Sequence, residues 1–187
     1  RLSLVGSEMC IRDRFYTPRE IVQYMVDESL VTHLKRTVGN ELESEYRKLL
    51  DYADNEILLT EQQKLAIMQS LYNCKILDPA CGSGAFPVGV LQQMVHILKQ
   101  IDPDNSRWKN MLLQFAIDET SEAYLNSTAE ERREAVADIE RAFDENVNYP
   151  DYARKLHLIE NCIYGVDIQP IAIQISKLRF FISLVID

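Results

Sequence analysis

Hydrophobic and polar positions alternate at helical spacing along most of this chain. From Ile21 to about Leu34, apolar side chains recur every three or four residues, which predicts an amphipathic helix. Thr17, Pro18 and Glu20 precede this stretch as N-cap, first and third helical residues, the pattern of a capping box with its preferred proline. Taken alone, this pattern is typical of a well-capped core helix.

Further helical stretches lie on both sides of a central break. We expect helices over residues 47–51 and 61–72, and helical material without a strand from about residue 106 to residue 161. Within that last region, residues 127–130 form a second capping-box pattern that leads into apolar positions ending at Phe143. The charged side chains around them are expected to form a solvated face.

Two short apolar runs interrupt the helical pattern, and each carries an acidic residue near its end. Residues 75–78 end in Asp78, and residues 162–168 contain Asp167. A strongly apolar helical stretch follows each run, and Pro170 opens the second one. Two such units predict an α/β fold, a doubly wound parallel sheet with its ligand at the carboxyl edge. Apolar positions nearly surround the helix that begins at Pro170, so we expect it to be buried on most sides.

Composition and net charge limit the classes of protein to which this chain can belong. The 187 residues are 47% hydrophobic, enough for one globular domain with a sizeable core. The net charge of -9 argues against a surface that binds nucleic acid throughout, although a local basic face or a DNA-binding part outside this chain remains open. Since no apolar run reaches the ~18 residues of a membrane helix and no secretory leader is present, we expect a cytoplasmic protein. The spacing of the four cysteines and three histidines predicts neither a disulfide framework nor a metal site.

The turn after the first predicted strand contains two glycines. Gly82 and Gly84 permit positive φ and close approach of a ligand. The helix that begins near Ala85 directs free N–H groups and its positive dipole end toward the space above the turn. A standard dinucleotide fingerprint has a third glycine where this chain has Pro87, and an acid ~20 residues on, whereas Asp167 lies much further downstream. A standard NAD site is therefore disfavoured.

The two acidic residues bear on which ligand the turn would hold. Asp78 would repel a pyrophosphate but suits an ammonium group. Asp167 is placed to accept hydrogen bonds from a ribose diol; the alternative is an ordinary capping acid for the helix at Pro170. A ligand with both an ammonium group and a nucleoside fits best, and S-adenosylmethionine is the common one.

Three motifs, in order, resemble those of a known family. They are Phe15-Tyr16-Thr17-Pro18, then Asp78-Pro79-Ala80-Cys81-Gly82-Ser83-Gly84-Ala85-Phe86, then Ile163-Tyr164-Gly165-Val166-Asp167-Ile168-Gln169-Pro170 with Lys177-Leu178-Arg179. The chain resembles the gamma-class N6-adenine DNA methyltransferases from Phe15 to Asp187. Within them it is most similar to the large bifunctional type II restriction-modification enzymes and to methyltransferases of phage-defence systems. The resemblance implies a partial Rossmann-like class I S-adenosylmethionine-dependent methyltransferase fold, with its first two strands, N-terminal helices and a helical insertion.

The resemblance also implies roles for individual residues. The first motif would pack against the methionine moiety, Asp78 and the turn backbone would hold its amino and carboxylate groups, and Asp167 would bind the ribose hydroxyls with Ile168 against the adenine. Cys81, within the turn and without a partner base, is interpreted as a small turn residue and not a nucleophile. The implied cofactor-binding residues are Phe15, Tyr16, Thr17, Pro18, Asp78, Ala80, Cys81, Gly82, Ser83, Gly84, Phe86, Asp167 and Ile168.

The sequence departs from the family at two places. No Pro-Pro pair occurs, so the catalytic Asn/Asp-Pro-Pro-aromatic tetrapeptide is absent and we expect no catalytic residue in this chain. An N-terminal, cofactor-binding fragment of a methyltransferase is thus implied, inactive by itself, with double-stranded DNA contacted through a missing C-terminal part and no metal involved. Asp13 and Arg14 stand where the family has a glycine, and residues 1–14 resemble translated sequencing-adapter sequence, with an ordinary N-terminal arm as the alternative.

The expected organisation has four parts. Residues 1–14 form a non-native arm, 15–100 the N-terminal helices with the first strand, turn and helix, 101–160 the helical insertion, and 161–187 the second strand and helix. Two other interpretations stay open from the sequence. One is a different nucleotide-binding enzyme, such as an NAD-dependent oxidoreductase, and the other is a non-catalytic interaction module built on the helical region.

Overall fold

The computed structural model describes residues 17–53, 55–122, 129–144 and 148–186. The elements in these ranges are mostly helices, with two short strands. In order they are α1 (Arg19–Thr37), α2 (Glu43–Leu50), α3 (Glu61–Tyr72), β1 (Ile76–Asp78), α4 (Ala85–Ile101), α5 (Ser106–Glu122), α6 (Ala129–Ala142), α7 (Tyr152–Asn161), β2 (Ile163–Gly165) and α8 (Pro170–Val185), with a 3₁₀ turn at Asn40–Leu42.

The two strands pair in parallel, as the sequence predicts. Ile76 lies opposite Ile163, and Leu77 opposite Tyr164. Ile163 is buried in the core, whereas Leu77 and Tyr164 are exposed. Because successive residues of a strand point to opposite faces, one face of this sheet packs on the core and the other is open. Both strands are shorter than predicted, and the arrangement is compatible with a partial α/β fold.

Helix α4 forms the centre of the hydrophobic core. Its fully buried Met94 and Ile97 belong to one cluster with Leu34 of α1 and Leu71 of α3. At Gly89 of α4, a Cβ would lie 3.2 Å from the side chain of Val22, so α1 and α4 approach each other closely there. The first four helices and the sheet therefore share one core.

A ring stack joins the region of residues 101–160 to that core. The ring of Tyr72 in α3 is stacked between Phe115 of α5 at 4.5 Å and His157 of α7 at 4.3 Å. Trp108 is fully buried beside them. The described helices of this region are thus packed onto the rest of the chain, and its assignment as an insertion stays a prediction.

The predicted capping box at Thr17 is wrong. Pro18, with ψ 144°, is the N-cap of α1, and no side-chain oxygen caps the helix. Pro18 has extended ψ and so precedes the helix instead of forming its first residue, which shifts Thr17 out of the capping position. A capping box forms instead at α3, where Thr60 and Gln63 bond each other's backbone N–H groups at 3.3 and 2.8 Å.

Other helix boundaries agree with the sequence to different degrees. Helix α3 spans the predicted residues, and α8 begins at Pro170 as expected. Helix α2 starts at Glu43, before the predicted residue 47. The second capping-box pattern, residues 127–130, begins at two residues that lie outside the described ranges. None of the described helices combines the length and apolarity that crossing a membrane requires.

The prediction that α8 is buried on most sides is wrong. Of its residues, Ala172 and Ser176 are buried. Its large apolar side chains are instead exposed along one face: Ile171, Ile175, Leu178, Phe181, Ile182 and Val185. The apolar periodicity indicates which side chains favour burial, but it does not indicate what would bury them. No element in the described part of the chain covers this face of α8.

Candidate functional site

The glycine turn connects the carboxyl end of β1 to the first residue of α4. Gly82 and Gly84 have φ of 53° and 85°, the left-handed region that favours glycine. The N–H of Gly84 donates to the carbonyl of Cys81 at 2.8 Å, which closes the turn. A Cβ on Gly82 would meet no atom within 4 Å, so the space beside this residue is open. The turn therefore presents backbone to an accessible region.

The segment after β2 is hydrogen bonded to this turn. Cys81 N–H donates to the carbonyl of Val166 at 3.0 Å, and Gly82 N–H donates to Asp167 Oδ2 at 2.9 Å. The other carboxylate oxygen of Asp167 accepts the N–H of Gln169 at 2.7 Å. The structure thus brings Asp167 to the glycine turn. Asp167 does not cap α8, because the N-cap of that helix is Gln169 and no side chain caps its first turn.

Helix α8 contacts the same turn from one side. Arg179 Nη1 donates to the carbonyl of Ser83 at 3.1 Å. A Cβ on Gly84 would overlap Ser176 Oγ and lie 3.1 Å from Ser176 Cβ. Consequently Gly84 is constrained both by its φ and by the packing of α8.

Asp78 presents an unused carboxylate oxygen at the start of the turn. Its Oδ1 accepts the N–H of Ala80 at 3.0 Å. Its Oδ2 is buried and accepts no hydrogen bond from any described residue. A buried acceptor without a donor is costly, so this oxygen favours a donor from a ligand. A cationic donor such as an ammonium group suits it best.

Cys81 is a buried thiol within the turn. Burial raises its pKa, and the neighbouring carboxylates of Asp78 and Asp167 raise it further. Its sulfur lies close to the backbone of β2, since a Cβ on Gly165 would be 3.0 Å from Sγ. A thiol whose pKa is raised is a poor nucleophile, which is consistent with its interpretation as a small turn residue.

Two further residues of the predicted site, Phe86 and Ile168, differ in burial. Phe86 packs against the hydrophobic core and, with Asp78, lines a cavity of about 450 Å³ between α1, β1 and the first turn of α4. Ile168, expected to contact an adenine ring, is 95% exposed. An exposed isoleucine next to Asp167 is available to a ligand, but no described residue faces it to complete a pocket.

The motif that precedes α1 is described only in its second half. Thr17 lines a cavity of about 310 Å³ together with Ala85 at the start of α4 and with Arg179. Pro18 contributes its carbonyl to the first turn of α1. Phe15 and Tyr16 lie outside the described residues. The structure thus brings Thr17 to the side of the turn that Arg179 occupies.

Ser176 was not singled out in the sequence, and Arg179 was part of the third motif but had no assigned role, although both residues contact the turn. They are polar residues three positions apart on a strongly apolar helix, so they share one helical face. That pattern was the available signal. Among the described residues, no group of three or more His, Cys, Asp or Glu side chains could hold a metal ion.

Comparison with known proteins finds one distant similarity. The relative is a protein of Methanocaldococcus jannaschii named "putative type II restriction enzyme and methyltransferase", 26% identical over 183 residues. The alignment covers 91% of this chain but 12% of the relative, so the chain spans a small part of the relative's length. No protein-family profile and no solved structure matches the chain. The chain is therefore distantly similar to a restriction-modification methyltransferase.

Proposed function

We propose that this chain is the cofactor-binding part of a site-specific DNA adenine-N6 methyltransferase of a restriction-modification or phage-defence system. The cofactor is S-adenosylmethionine, and the substrate of the whole protein is double-stranded DNA in the cytoplasm. The motif resemblance and the distant sequence similarity to a methyltransferase both support this proposal. No Pro-Pro pair occurs in these 187 residues, so the proposal assigns DNA binding and the catalytic Asn/Asp-Pro-Pro-aromatic segment to another part of the proposed enzyme.

The observation that carries the proposal is the convergence of two carboxylates on an open glycine turn. The free, buried Oδ2 of Asp78 suits the ammonium group of the methionine moiety. Asp167 uses one hydrogen bond on each oxygen. A carboxylate has about four lone-pair sites, so both oxygens retain capacity for ribose hydroxyl groups.

The residues of this chain bind and orient, and the reaction chemistry comes from elsewhere. When bound, S-adenosylmethionine supplies an activated methyl group. Asp78 would hold one end of the ligand and Asp167 its ribose, which fixes the position of the methyl group relative to the turn. The open space beside Gly82 leaves room for this ligand against the backbone. We expect no methyl transfer from this chain alone.

The first test measures binding of S-adenosylmethionine by isothermal titration calorimetry. Asp167→Ala is expected to weaken binding about ten- to a hundredfold, because hydrogen bonds to a charged group contribute about 1.5 to 3 kcal/mol each. Asp138→Ala is the matched control, because Asp138 is an exposed acid that pairs with Arg141 within α6 and has no hydrogen bond to the described residues of the glycine turn.

Unchanged affinity in Asp167→Ala would remove Asp167 from the site. Saturable binding of NAD without binding of S-adenosylmethionine would contradict the proposed function and favour an oxidoreductase. Failure of the longer protein to bind any nucleotide would favour an interaction module instead.

A further inference from the structure

The glycine turn has little internal support. Gly82 and Gly84 flank Ser83, and both lose more conformational freedom on ordering than any residue with a side chain. Within the turn, the Gly84 N–H bond to Cys81 holds one peptide group. A defined ligand-binding geometry therefore needs hydrogen bonds from outside the turn.

Arg179 supplies one of these external hydrogen bonds. Its guanidinium donates to the Ser83 carbonyl at 3.1 Å, across 96 positions of sequence. Hydrogen bonds from an ionised donor are stronger than neutral ones. One helical turn earlier, Ser176 packs against Gly84. Helix α8 thus contacts two adjacent turn residues, Ser83 and Gly84, in addition to the bond between Gly82 and Asp167.

Arg179 lies beside two cavities and outside the hydrophobic core. Its side chain lines the cavity of about 310 Å³ that also contains Thr17, and a second cavity of about 490 Å³ between α4 and the end of α8. The residue is half-buried and does not belong to the hydrophobic cluster. Replacing it should therefore leave the core intact.

We propose that Arg179 is a positioning residue: by fixing the Ser83 carbonyl, it holds the glycine turn in the conformation that binds the cofactor. This inference rests on the proposed function for its ligand, S-adenosylmethionine. The claim that Arg179 holds the turn does not depend on which ligand binds, because the hydrogen bond to Ser83 joins two residues of this chain.

The test compares Arg179→Gln with Lys177→Gln in the full chain. Both changes remove one positive charge from α8, but Lys177 is exposed and lies two positions away. In ligand-free protein, the amide protons of Cys81, Gly82 and Gly84 should exchange several-fold faster in Arg179→Gln, as measured by NMR. The dissociation constant for S-adenosylmethionine should rise about tenfold, the equivalent of one charge-assisted hydrogen bond. Lys177→Gln should change neither quantity.

The outcomes separate this inference from the proposed function. Faster exchange in Arg179→Gln at an unchanged melting temperature, with partial recovery in Arg179→Lys, supports positioning. Unchanged exchange overturns it, even if the affinity falls, because the guanidinium would then act on the ligand directly. If wild-type protein binds no S-adenosylmethionine, the proposed function fails, while the exchange data still decide whether Arg179 holds the turn.

Discussion

Gly82 and Gly84 both have positive φ, but the space around their Cα atoms differs. A Cβ on Gly82 would enter open space. A Cβ on Gly84 would overlap the hydroxyl of Ser176 on α8. Substituting each glycine by alanine therefore separates the cost of left-handed backbone from the cost of close packing.

We predict that Gly84→Ala destabilises the chain far more than Gly82→Ala. For Gly82→Ala we expect a loss of about 1–2 kcal/mol in the free energy of unfolding, from left-handed backbone alone. For Gly84→Ala, overpacking adds about 1–3 kcal/mol, which gives a total of about 2–5 kcal/mol. Urea denaturation of the two variants measures the difference.

A double variant isolates the contact with Ser176. Ser176→Ala removes the hydroxyl that the new methyl group would overlap, so it should recover part of the loss in Gly84→Ala and little in Gly82→Ala. Equal costs for the two glycine variants would mean that α8 does not press on the turn. In that case the packing role assigned to Ser176 would be lost.

At the level of elements, a buried ionic network fixes the corner between α4 and α7. Arg154 is fully buried and pairs with Asp102 Oδ2 at 3.1 Å and Asp151 Oδ1 at 3.3 Å. Asp151 also pairs with Lys99 at 2.5 Å. Asp102 in turn accepts the N–H groups of Trp108 and its predecessor at the start of α5, at 3.0 and 3.2 Å. The carboxylate of Asp102, at the end of α4, thus connects α4 to the first turn of α5 and to Arg154 of α7.

We predict that Arg154→Met lowers the free energy of unfolding by about 3–5 kcal/mol, because two carboxylates stay buried after one of their cations is removed. Chemical denaturation followed by circular dichroism measures this loss. Arg141→Met is the control, since Arg141 and Asp138 form an ion pair whose side chains are 71% and 62% exposed. Little change is expected there. A loss in Arg154→Met no larger than in the control would contradict the network's importance.

Element types were largely predictable from sequence, whereas their contacts were not. The proline at 170 and the apolar stretch after Ala85 each mark a helix start that the structure contains. A similar proline signal failed at Pro18, because the extended ψ of that residue places it before the helix. Local pattern therefore indicates where a helix begins only within about a residue or two.

The site was predictable in its residue types but not in its hydrogen bonds. The two glycines and the two acids follow from strand ends and turn chemistry. Gly82 and Asp167 are 85 positions apart, and no local rule pairs the N–H of one with the carboxylate of the other. The same holds for Arg179 and Ser83. Such contacts depend on how segments distant in sequence pack together, and the burial of α8 was predicted wrongly.

For the whole molecule, the largest departure from expectation is the amount of exposed apolar surface. The outward face of α8 carries Leu178 and Phe181, which are 57% and 62% exposed. The open face of the sheet adds Leu77 and Tyr164. Clusters of large exposed apolar side chains, such as those along one face of α8, are uncommon on soluble monomers and promote association.

We predict that the chain self-associates through this face, and that Leu178→Lys with Phe181→Lys reduces the association. Both side chains are already exposed, so their replacement should not lower the melting temperature. The substitutions also bring the net charge from -9 to -7, which by itself would favour association. A fall in light scattering and in binding of the dye ANS therefore has to come from the loss of apolar surface. Leu58→Lys, at a position 68% exposed outside α8, is the control and should change neither signal; an equal fall there would mean that added lysine, and not this face, governs association.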